Sequence, residues 1–138
     1  LNLRWRLILM ASSGGVLFGA LTIFAVISGY EGLAALIVIV GIGKLMALCV
    51  PDTPVRHAFA AGCLAGLLAV WTQAAFLPLY FDNNPTYAEI PIPFGLPART
   101  YTVLVAPIGG LVSGCLASLA AWFFIPIFRR LRGRLEER

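Results

Sequence analysis

A lysine inside one apolar run, a lone histidine at the edge of another, and a few hydroxyl and amide side chains are the groups in this chain that could do chemistry. Lys44 is the only formal charge within four long apolar stretches. A cation at mid-membrane costs about 2.5–3.5 kcal/mol on insertion scales, so its position poses a functional question. It lies six residues before Val50, roughly 9 Å along a helix, where the flexible stem can carry the ammonium to the nearer membrane face. The other two readings are a buried, hydrogen-bonded structural lysine and an ion or substrate site. Ser12, Ser13 and Cys63 fall at a similar level, and Thr22, Thr72, Gln73 and Ser113 form a second level further from the same face. Lys44, Ser12, Ser13, Thr22, Gln73 and Ser113 are therefore the candidates for a polar path or for interhelical contacts. The default role is structural, since such interhelical bonds average only about 0.6 kcal/mol. No carboxylate occurs inside a span to take up a proton, which argues against a proton-coupled transporter.

His57, the only histidine, opens the third apolar run. One imidazole cannot build a multi-ligand zinc site or a bis-histidine haem, and no Glu or Cys stands three or four residues on. It is the one side chain that could supply an axial ligand to a single pigment or tetrapyrrole; the default is an interfacial, solvated histidine. No nucleophile, base and orienting acid can be assembled from the embedded residues. Neither an enzyme nor a metal site is expected, and no cofactor beyond bound lipid. Cys49, Cys63 and Cys115 lack C-x-x-C spacing and read as small apolar packing residues.

The elements that must position these groups follow from length and composition. Of 138 residues, 60% are hydrophobic and 12% charged, and the mean hydropathy is +0.92, far from the quarter-charged composition of soluble domains. The apolar runs cover about 7–28, 33–50, 58–80 and 101–128, each near or above the ~18–20 residues needed to cross ~30 Å of hydrocarbon. The expected fold is all-α: an integral membrane protein of four transmembrane helices in an up-and-down antiparallel bundle, forming one domain over 1–138. A loop over 81–100 and a basic tail over 129–138 complete it, leaving no room for a separate soluble catalytic domain. The first run follows two arginines, as in a signal peptide, but is too long and has no A-x-A site, so it reads as a retained span. Because the chain opens on Leu1 rather than Met, a short leading segment is expected ahead of it.

Charge placement sets the expected orientation. Arg4, Arg6, Arg56, Arg129, Arg130, Arg132, Arg134 and Arg138 flank one set of span ends, and Arg99 alone flanks the other, beside Glu31, Asp82 and Glu89. Lys and Arg near span ends favour the cytoplasmic side, so both termini are expected inside, in a bacterial inner membrane. The tail reads as a topology anchor, secondarily as a site for anionic lipid; nothing suggests nucleic acid.

Gly15 with Gly19, Gly62 with Gly66, and Gly110 with Gly114 are each four apart and so share a helix face. Small residues at this spacing let backbones approach where lipid supplies no drive for helices to associate. Helix packing within the bundle is the expected use, with a homo-oligomer or partner face as the alternative. In the loop, Ile90, Pro91, Ile92, Pro93, Phe94 and Leu96 make an apolar stretch that its prolines hold extended. It is expected to cover the bundle end or to dock a partner. The sequence thus points first to a non-enzymatic accessory subunit of a larger membrane complex, of the bioenergetic kind. The alternatives are a homo-oligomeric channel or small-solute transporter with a path past Lys44, Gln73 and Ser113, and a pigment-holding subunit.

Overall fold

A computed structural model describes residues 3–136. Those residues are all-helical, and four helices are long and apolar enough to cross a membrane, the architecture of a multi-pass membrane protein. They are α1 (Trp5–Ile23), α2 (Glu31–Cys49), α3 (Pro54–Ala75) and α6 (Ala98–Glu136). Between α3 and α6 lie two short helices, α4 (Leu77–Asn83) and α5 (Pro85–Ala88), and a 3-10 turn at Pro93–Gly95.

Local chemistry explains the boundaries. α1 ends at Ile23, short of the expected 28, because the chain turns through Ala25, whose φ of +53° leaves the helical region, and then Gly29 at +80°. α2 opens on Glu31, a carboxylate placed favourably against the positive end of the helix dipole. Pro54 is the first residue of α3, a position where a missing N–H costs nothing. The third apolar run breaks at Phe76 instead of continuing to Tyr80, because Pro78 has no N–H for the carbonyl of Ala74. α6 is 39 residues long and runs through Pro107 and Pro126.

α3 is the hub. It packs most extensively on α6 and next on α1, α2 packs mainly on α6, and α1 and α2 touch only thinly despite the short link between them. Contacts ascend together along α1 and α3, from Gly15 against Ala65 to Gly19 against Ala69. They run in opposite senses along α3 and α6, with Gly62 against Ser113 and Gly66 against Gly110. The core is built from Ile8, Ile39, Ile42, Met46 and Val50 with a set of alanines, Ala58, Ala61, Ala65, Ala117 and Ala121. Alanines four apart make flat helix faces, and large side chains are turned outward: Leu9, Met10, Leu17, Ile37, Leu104, Ile108, Leu119 and Trp122 are all exposed. An apolar exterior this extensive is foreign to water and suited to hydrocarbon.

Candidate functional site

Three places stand out, two of them clusters of polar side chains. At the end where α1 and α3 begin, Arg4 N–H donates to Nε2 of His57 (3.0 Å), and His57 Nδ1 lies 2.9 Å from the carbonyl oxygen of Thr53 and 3.1 Å from its hydroxyl. Since Nε2 accepts, the proton of the neutral ring sits on Nδ1 and donates to Thr53. The Arg4 guanidinium reaches the Cys49 carbonyl at 3.4 Å, so one clasp joins the start of α1, the end of α2 and the start of α3. His57 is 1% exposed. The expectation of a solvated, interfacial histidine is corrected here: His57 lies on the face that continues through Ala61 and Ala65, both buried, and both ring nitrogens are engaged. As the candidate axial ligand it therefore has no lone pair to spare in this arrangement. Thr53, at the N-cap position of α3, turns its hydroxyl oxygen to the ring as an acceptor and makes no side-chain cap bond.

At the opposite end, Gln73 Nε2 donates to Thr22 Oγ1 (2.8 Å), and Thr22 Oγ1 donates to the Gly19 carbonyl (2.7 Å). The carboxamide of Asn84 donates to the Thr22 carbonyl (3.0 Å) and to Tyr80 (2.9 Å), and that of Asn83 to the Ile23 and Leu79 carbonyls, both at 3.0 Å. Two consecutive amides thus reach carbonyls at the end of α1: that of Ile23, and that of Thr22, which also accepts from Ala25 N–H (3.1 Å). Arg99 adds a bond to the Ala75 carbonyl (3.4 Å) at the end of α3. Tyr80, stacked near Tyr87, has its phenol pushed up to about 12, first by burial and then by Tyr87 and Glu31.

The third place is a cavity of about 130 Å³ where all four long helices meet, lined by Gly15 and Phe18, Ala35 and Val38, Gly66 and Ala69, and Gly109 and Ser113, among others. It is almost wholly apolar, and Ser113 supplies its one hydroxyl.

The candidates for a polar path are therefore separated. Thr22 and Gln73 meet directly. Thr72 instead donates to its own Leu68 carbonyl (2.6 Å). Ser113 sits against Gly66, seven residues or roughly 10 Å down α3 from Gln73. Ser12 is buried in the α1–α3 seam, its hydroxyl shared between the Ile8 (2.6 Å) and Ala61 (3.1 Å) carbonyls. Ser13 faces outward and bonds the Met10 carbonyl (2.6 Å). Lys44 also faces outward, in the exposed stripe with Ile37, Gly41 and Leu45, away from the cavity.

The six candidate packing glycines all stand at close helix approaches. A Cβ on Gly15 would collide with the backbone of Ala65, on Gly19 with Ala69, on Gly62 with Ser113, on Gly66 with Gly110, on Gly110 with Cys63 and on Gly114 with Phe59. Gly43 does the same between α2 and α6, against Ala117 and Ala121. Gly43 stands three residues from Met46 and four from Ile39, both buried, which places it on the packed face.

Of the apolar loop stretch, Ile92 and Leu96 are partly covered, while Ile90, Pro91 and Pro93 are exposed. Phe94 is 94% exposed at the tip of a turn in which it and Gly95 both have φ of +62°, the pairing found in tight primed turns. Arg129 and Arg130 are exposed near the end of α6; Arg138 lies outside the described residues. No family model, curated protein or solved structure matches this chain.

Proposed function

We propose that this chain is a non-enzymatic accessory subunit that packs against and stabilises partner subunits of a larger, bioenergetic-type complex. Its four long helices cross a bacterial cytoplasmic membrane as an up-and-down antiparallel bundle with both termini in the cytoplasm, and Lys44 extends its ammonium to the cytoplasmic headgroups. The observation that carries this reading is the contrast between satisfied interior and uncovered exterior. Among the described residues no buried side-chain nitrogen or oxygen lacks a hydrogen-bond partner, whereas the Phe94 turn and long apolar helix faces are left open. An apolar turn held in water costs free energy unless another surface covers it. The separation of Lys44, Ser113 and the Thr22–Gln73 pair weighs for this reading over a solute path.

The test is a photocrosslinking amino acid at Phe94 in the native membrane. Adducts to one defined foreign subunit, which also copurifies stoichiometrically in mild detergent, are expected. Adducts only between copies of this chain would favour a homo-oligomer, and none at all would remove the docking role. Lys44→Met is expected to leave assembly and function of the complex unchanged; loss of an ion or solute flux in that variant would turn the assignment towards a channel.

A further inference from the structure

The hydroxyls embedded in the long helices divide into two groups. Ser12, Ser13, Thr22, Thr72, Thr102 and Ser118 each donate to a backbone carbonyl. Ser113 makes no such bond, nor does Thr100, which is exposed in the first turn of α6; the Ser113 oxygen is not among buried atoms sealed from contact. A helical serine in an apolar setting ordinarily back-bonds to the carbonyl one turn earlier. Here Gly66 leaves space for the hydroxyl instead: a Cβ at Gly66 would stand 2.8 Å from Ser113 Oγ. Ser113 lines the central cavity of about 130 Å³, whose remaining walls are Gly15, Phe18, Ala35, Val38, Ile39 and other apolar groups.

Size and lining select the chemistry of an occupant. An apolar protein cavity of ~150 Å³ accepts one benzene ring, so the volume fits a single ring. A purely hydrocarbon occupant would leave the Ser113 hydroxyl without a partner in a low-dielectric site, which is unfavourable. A charged or multiply polar molecule would find no second donor or acceptor side chain. The cavity is partly open, and α1 and α2, which both line it, touch only thinly. A ring dissolved in the surrounding hydrocarbon could enter there without crossing water.

We infer that the four-helix junction is a binding site for the ring of a membrane-dissolved amphiphile carrying one oxygen substituent, phenol or ring ketone, with Ser113 Oγ hydrogen-bonded to that oxygen. The site is independent of the accessory-subunit role, because it needs no partner protein. The probe is a long-chain alkylphenol with a diazirine on the ring, compared in reconstituted bilayers with the analogue lacking the hydroxyl. The phenol is expected to label peptides of α2 and α6 at the cavity about tenfold more strongly than its deoxy analogue, the factor for one good hydrogen bond. Ser113→Ala should bring the two probes to equal labelling. Filling the cavity with Ala35→Phe should abolish the labelling, and Val38→Phe provides an independent filling variant if the first does not assemble. Equal labelling by both probes in the unmodified chain would mean simple partition of hydrocarbon and would overturn the proposal; so would labelling that survives in a folded filling variant.

Discussion

The α1–α3 seam and the segment from Glu89 to Pro97 use the same twenty amino acids to opposite ends. Along the seam, small residues bring backbones together and every polar group is tied: Arg4 to His57, Ser12 to Ala61, Gln73 to Thr22. The segment has no hydrogen bond to either helix and ends in a bare phenyl ring at Phe94. One region is specified by contacts within the chain, and the other by turn residues and prolines alone. The lesson is that stability and recognition are separable here, and that they respond to different substitutions.

The largest effect should come from closing the space that the seam requires. Gly15→Leu would drive a side chain into the Ala65 backbone, costing stability at or beyond the upper end of the ~1–3 kcal/mol typical of overpacking. A fall in the detergent unfolding midpoint, with loss of bundle assembly, is the expected reading; an unchanged midpoint would show that the helices do not approach there. Next, His57→Ala removes the acceptor for the part-buried Arg4 N–H and should cost about 1 kcal/mol, the net contribution of a typical hydrogen bond. The same measurement checks it, together with faster exchange of the Arg4 amide. Gln73→Leu should cost less, about 0.6 kcal/mol, because Thr22 keeps its bond to Gly19.

A change of pH probes the junction between the two regions. Tyr80 is raised to about 12 in the fold from about 10 in an unfolded chain. Its contribution is therefore complete below pH ~10 and lost as the pH rises towards 12, since the unfolded state ionises first. Phenolate absorbance should show one tyrosine titrating about two units late, and Tyr80→Phe should remove that late step. Smallest of all in stability is Phe94→Ser, expected to leave the unfolding midpoint within ~0.5 kcal/mol of the unmodified chain while reducing recovery of the partner subunit.

How much of this was legible before folding depends on range. The apolar runs are local signals, and they mark four helices long and apolar enough to cross a membrane, although α3 starts at Pro54, ahead of the run expected from 58. His57 was misread because its position at the edge of an apolar run suggested solvent. The small residues at Ala61 and Ala65, in register with it, carried the better signal of a packed face. Asn83 and Asn84 fall in the stretch expected as a loop, and nothing local tells that they reach carbonyls at Thr22 and Ile23, some sixty residues earlier. Ser113 and Gln73 appeared level when each span was counted from one face. The break at Pro78 and the actual register of α6 against Gly66 undo that count. The cavity was invisible because it is made by four helices jointly, each contributing only two to four residues, mostly small or aliphatic.

α6 has a mechanical consequence of its own. At 39 residues it is roughly 58 Å long, nearly twice the ~30 Å depth of the hydrocarbon. A rod of that reach works as a lever: leaning it by roughly ten degrees displaces one tip by roughly 10 Å relative to the other. With α3 gripping its middle as fulcrum, a modest pull on the arginine-bearing tip would be felt as leverage at Ala98, where the helix meets the exposed turn.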